Sequence, residues 1–220
     1  MRARPLRSIT LVVVVLAASL SIRAALAATA IDNSNASVTC TTIAKGTLKA
    51  RPPLTAGGGV PTFLLLSGKL GGCTSPDGIT FQEGKSTFRA IFNVADNACV
   101  GLAGVNPTTG SITIRWKTNE PVTNPISTVT LPAGSIVGNA GSVAGALRVT
   151  FDLGTGPPSN GGGMGASPLS VAGGFTGGDG GANSGVTVVT QLSVDSVLTL
   201  CNSKKGIQEI SLGAGALTLD

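Results

Sequence analysis

Histidine and tyrosine are absent from all 220 residues, and tryptophan occurs once. Without histidine the chain can hold no Ser-His-Asp triad, no Cys-His pair, no HExxH zinc site and no histidine pH switch. Charged residues make up 11% and aromatic residues 3%, the former well below the usual ~25%. A lysine-activated serine is excluded too, because Ser67-Gly68-Lys69 and Ser203-Lys204 lack the Ser-x-x-Lys spacing. There is no CxxC pair to begin a zinc site. The Gly-rich stretches open no helix that could cradle a phosphate. No catalytic, cofactor-binding or metal-ligating residue is therefore expected, and no cofactor.

The N-terminus reads as an export signal. Arg2, Arg4 and Arg7 precede an uncharged stretch from Ser8 to Ile22, and Ala25-Leu26-Ala27 offers the small residues of a peptidase site. Cleavage is expected after Ala27, giving a signal peptide over 1–27. The uncharged stretch is short of the ~20 residues needed to span a bilayer, and Arg23 closes it. A secreted or envelope location follows, with no transmembrane segment in the mature chain. Loss of Arg2, Arg4, Arg7 and Arg23 brings the net charge from +5 to about +1. The remaining cations are scattered from Lys45 to Lys205 without a dense run, so no nucleic-acid partner is expected.

Residues 28–220 have the length of one sizeable domain. Cys40, Cys73, Cys99 and Cys201 are an even number in an exported chain, which predicts two disulfides. Of the three connectivities, Cys40–Cys201 with Cys73–Cys99 is expected. The reason is an echo: Ser37 to Cys40 and Leu198 to Cys201 are each followed by a turn, a glycine (Gly46, Gly206) and a second alternating stretch.

Past residue 30 the hydrophobic period is two almost throughout. Ile112, Ile114 and Trp116 share one face, and Thr113, Arg115 and Lys117 the other. Leu147, Val149, Phe151 and Leu153 alternate in the same way, as do Val186 to Leu192. Further strands are predicted at 36–42, 60–71, 86–93, 126–131, 168–175, 194–201 and near Ile210 and Leu217. Arg51-Pro52-Pro53 to Gly59 reads as a connection, and Thr29 to Asn35 as a short lead-in. Two Gly-rich loops, 154–167 and 176–185, read as spacers at opposite ends of a strand. The fold expected is an all-β antiparallel β-sandwich, Ig-like or jelly-roll-like, with a closed β-barrel as the alternative.

The candidate chemistry is thin. Asp179 sits in a single imperfect copy of a Gly-Asp calcium repeat, which binds only in tandem. Ten carboxylates could supply a glycosidase pair, but none lies in a motif, and Trp116 is placed in the core. Arg115, Lys117, Asn119 and Glu120 form the densest polar cluster, read as an ordinary sheet surface. Leu131-Pro132-Ala133-Gly134 lacks the Thr and hydrophobic tail of a cell-wall sorting signal, and Asn35-Ala36-Ser37 is a glycosylation sequon.

Cys40 at a strand end, Gly68-Lys69-Leu70-Gly71-Gly72-Cys73, Asn97-Ala98-Cys99-Val100-Gly101-Leu102 and the strand from Gly110 to Trp116 together form a pattern. It resembles that of uncharacterised small exported bacterial β-sandwich proteins. The resemblance implies fold and export and supplies no active site. The expected function is a secreted, non-enzymatic binding or envelope module for an unknown macromolecule or ligand. The alternatives are a hydrolase using a carboxylate pair and a carrier of a small apolar ligand.

Overall fold

Leu64, Leu66 and Leu70 are buried while Phe63 before them and Lys69 among them are exposed, and this alternation repeats from strand to strand. Phe88, Ala90 and Phe92, then Ile112 and Ile114, then Val129 and Leu131 continue the buried side. One sheet face thus carries the apolar set and the other the Ser, Thr, Lys and Arg, as a period of two requires. The computed structural model describes residues 29–99, 109–131, 137–143, 146–152, 170–177 and 184–220. The expected signal peptide over 1–27, Asp179, the loop 154–167 and most of the loop 176–185 lie outside them.

Ten strands form one antiparallel sheet: β1 (Val38–Leu54), β2 (Thr62–Thr74), β3 (Ser86–Val94), β4 (Thr109–Arg115), β5 (Ile126–Leu131), β6 (Val137–Val143), β7 (Ala146–Asp152), β8 (Ser170–Gly173), β9 (Gly185–Ser193) and β10 (Ile207–Leu219). Their order is β6-β7-β9-β10-β1-β2-β3-β4-β5-β8, so the sheet is open, and β6 and β8 are its edges among the described residues. The chain begins in the middle, runs outward through β5, and returns on the other side to lay β10 against β1. The all-β expectation is met.

This sheet cannot be flat. β5 ends at Leu131 and β6 begins at Val137. Six residue steps reach at most ~20 Å, whereas the eight strand spacings between those positions would measure ~38 Å if laid flat. The segment after β8 curls inward as well. Phe175 N–H donates to Asn33 O (2.6 Å) and Gly177 N–H to Ala36 O (3.2 Å), beside the start of β1. Gly177 has φ +81°, and a Cβ there would lie 2.2 Å from the carbonyl carbon of Asp220, so only glycine allows this approach. The curl turns the apolar face inward, where a single cluster runs from Ala36 to Leu219.

β1 is longer than expected, running on through Pro52 and Pro53 to Leu54. Proline has no N–H to donate, and the β1–β10 ladder is interrupted there, between Lys49↔Glu209 and Leu54↔Ile207. The carbonyls of the two prolines accept instead from Thr62 Oγ1 (2.7 Å) and Asn97 Nδ2 (2.7 Å).

The structure corrects the sequence reading at three further places. Residues 194–201, read as a strand, form helix α1 (Val194–Cys201). Ser193 caps it by accepting from Ser196 N–H (3.1 Å), and Asp195 lies in the first turn. Val197 and Cys201, four apart, form its buried stripe. β6, rich in Gly, Asn and Ala, was not foreseen. It pairs with β7 over seven register positions, and its sequence has no apolar alternation to announce it.

The third correction concerns the disulfides. Two are present, but they join Cys40 to Cys73 and Cys99 to Cys201. Cys40 and Cys73 are register partners on β1 and β2, with Cα atoms 3.9 Å apart. Cys201 lies at the opposite end of the sheet, where its carbonyl accepts from Ala56 N–H (3.2 Å) just beyond Leu54. Cys40 and Leu54 are roughly 45 Å apart along an extended strand, far beyond the 4.4–6.8 Å Cα separation that a disulfide normally spans. The echo between the two Cys-turn-Gly units is therefore not a spatial one, although β1 and β10 are neighbours.

Candidate functional site

β1 through β5 contain six basic residues, Lys45, Lys49, Arg51, Lys69, Arg89 and Arg115, and no Asp or Glu. The pairing registers decide where they go. Lys69 and Arg115 both pair with Thr87, and Arg89 pairs with Ser67 and Thr113. Lys69 and Arg115 therefore flank Thr87 at one level, and Arg89 stands one same-face step along the middle strand, so the three form a triangle across three adjacent strands. Lys49 and Arg51 stand one pleat apart on β1, opposite Leu65 and Phe63. Since paired residues share a face, all five project from the outer side, with Lys45 exposed at a neighbouring bulge (φ 52°).

The same side carries apolar groups. Phe63 is 58% exposed and Ile91 36%, with half-buried Leu65 between them and paired to Ile91. Between and around these lie Thr47, Ser67, Thr87, Ser111, Thr113 and Thr128. Of the five cations only Lys49 has a partner among the described residues, Glu209 Oε2 at 3.3 Å. Among the described residues Arg51, Lys69, Arg89 and Arg115 make no side-chain hydrogen bond or ion pair. Where the proline segment interrupts the ladder, a surface cleft of about 360 Å³ opens beside Lys49, Arg51, Pro52, Pro53, Gln208 and Glu209.

The carboxylates are arranged differently. Asp77 Oδ2 accepts from Ser37 N–H (3.2 Å) and Asp220 Oδ1 from Ser37 Oγ (2.8 Å). Glu83 accepts from Gly72 N–H through both oxygens (3.2 and 3.1 Å). Asp96 Oδ1 accepts from Gly59 N–H (2.7 Å) and Ala98 N–H (3.1 Å). Asp32 accepts from Ser34 N–H (3.0 Å), and this backbone bond holds its pKa below the ordinary value. Glu120 is held low chiefly by the Thr80 hydroxyl (2.9 Å), with backbone N–H groups adding to it. Asp32 and Asp77 border a second, smaller cleft of about 210 Å³. Among the described residues no group of three or more Asp, Glu, Cys or His is placed to share a metal ion.

The polar cluster singled out in the sequence thus separates. Arg115 belongs to the cationic face. Asn119 and Glu120 turn away to Thr80, Asn119 Nδ2 donating to its hydroxyl at 2.9 Å. Lys117 is exposed in the segment after β4, its N–H donating to Ser86 Oγ (3.0 Å). Trp116 is core, 2% exposed, its indole N–H donating to Ser127 Oγ at 2.6 Å while Ser127 Oγ donates to Gly174 O. Phe81 and Phe175 pack on it with centroids 5.7 and 5.0 Å away.

Two residues that the sequence reading passed over have large structural roles. Asn33, in the lead-in, is fully buried; its amide donates to Asn124 O (2.9 Å) and accepts from Asn124 N–H (3.0 Å), as a paired strand residue would. Asn97 ties the 55–60 connection to the segment before Cys99. No family model, curated protein or solved structure matches this chain.

Proposed function

We propose that this is a secreted, non-enzymatic β-sandwich that binds an extracellular or envelope partner through the outer face of β1–β5. The curl of the sheet and its one-sided apolar face support two packed layers rather than a closed barrel. The two disulfides and the N-terminal signal pattern support export. The resemblance to small exported β-sandwich proteins belongs to the same reading.

One contrast carries the proposal. Four exposed cations on a single face have no partner within the described residues, while the acids detailed above are held by hydrogen bonds or, for Glu209, by Lys49. A face whose charges do no internal work is available for an external one.

Two measurements test it. Intact mass of the protein recovered from culture medium should begin at Ala28 and be four hydrogens light; a full-length membrane-bound species would refute secretion. On a heparin column the wild-type chain should be retained and released by salt, and an Arg89→Glu/Arg115→Glu variant of unchanged melting temperature should elute earlier. Equal elution would remove the face from the proposal.

A further inference from the structure

We infer that the partner of this face is an anionic lipid bilayer, an inference that rests on the reading of β1–β5 as a binding surface. Two features point to lipid over a soluble polyanion or an acidic protein. First, every charged residue of β1–β5 is a cation, carried on four of the five strands, whereas protein interfaces mix signs to fix register. A uniformly cationic face is complementary to the uniform negative potential of an anionic headgroup plane.

Second, Phe63 and Ile91 are exposed within the same cationic field, with Leu65 between them. A sulfated polysaccharide or a polyphosphate gains little from apolar side chains, but the boundary between headgroups and acyl chains takes up just such groups. Lys49 and Arg51 stand directly across from Leu65 and Phe63. Their long stems can lie along the apolar strip while the charged heads reach outward to phosphates. Lys69, Arg89 and Arg115, interleaved with Ser67, Thr87 and Thr113, would meet neighbouring headgroups.

In this geometry the protein lies on the membrane and does not cross it. No helix among the described residues is long and apolar enough to span. Phe63 and Ile91 would enter the interface only as far as two side chains allow, which makes binding shallow, reversible and dependent on salt.

The experiment is co-sedimentation of the secreted chain, disulfides intact, with vesicles containing about 30% phosphatidylglycerol in phosphatidylcholine, a composition that gives an anionic surface. Phosphatidylcholine alone is the control. Binding is expected to the anionic vesicles only and to be lost at high salt. Arg89→Glu/Arg115→Glu should weaken it by more than about tenfold, and Phe63→Ser by roughly threefold to tenfold.

Lys204→Glu/Lys205→Glu makes an equal charge change at exposed positions between α1 and β10, outside the face. It should leave most of the binding intact; an equal loss there would mean net charge alone is sensed and would overturn the inference. Retention on heparin without vesicle binding would overturn lipid as the partner and leave the binding face standing. Failure on both supports would overturn the face itself. Recovery of binding only when an acidic protein is present on the vesicles would assign the face to a protein partner instead.

Discussion

At the end of the sheet where β1 begins, Asp32, Asp77, Glu83, Glu120 and Asp220 each accept a hydrogen bond from the chain, whereas on the outer face of β1–β5 four of five cations hold no partner among the described residues. Both sets are exposed, and charge-counting alone would treat them alike. The difference lies in where the chain places unpaired backbone donors. Loops and turns leave N–H groups without ladder partners, and a short carboxylate can satisfy them. Strands satisfy their own N–H groups in the ladder and give a basic side chain nothing to bond. Acids in the connections become part of the structure, and cations on the strands become surface chemistry.

That contrast can be broken at the structural end first. Trp116→Ala removes the ring on which Phe81 and Phe175 pack and takes from Ser127 Oγ its indole donor, and should cost about 3–5 kcal/mol, read from urea denaturation. A cost below about 1 kcal/mol would show that the end is not built around this ring. Asn33→Ala leaves the Asn124 N–H and C=O without their partners and should cost about 1–3 kcal/mol by the same measurement. On the cationic side, Arg89→Ala/Arg115→Ala should change stability by less than about 0.5 kcal/mol while reducing retention on heparin. A large destabilisation would mean these cations are structural after all.

The smallest effect is a titration. Hydrogen bonds from Thr80 lower the pKa of Glu120, so their contribution is complete above the unfolded carboxylate value of about 4.3. It is lost as pH falls through the lower folded value. The melting temperature of the wild type should exceed that of Glu120→Gln at pH 6, and the gap should close as the pH drops below about 4. A gap independent of pH would detach Glu120 from Thr80.

Much of this architecture was legible because a half-buried antiparallel strand writes its exposure into alternate residues. β2, β3, β4 and β5 appear within three residues of where the alternation places them. α1 was hidden because Val197-Leu198-Thr199-Leu200 has β-branched and alternating character, and the Ser193 cap with Asp195 behind it was the overlooked signal. The cationic face was hidden more thoroughly. Lys49, Lys69, Arg89 and Arg115 are about twenty or more residues apart in sequence, and only the registers Lys69↔Thr87↔Arg115 and Ser67↔Arg89↔Thr113 bring them together.

The sequence by itself determined the all-β class, the inward position of Trp116 and the formation of two disulfides, because alternation, cysteine parity and composition are local or additive properties. The tertiary structure alone decided which cysteines pair, how Asn33 grips Asn124 and which charges share a face. Each of these depends on strand order and register. A shift of one residue in register would send every cation to the other side of the sheet, and that register is set by the packing of the whole apolar face.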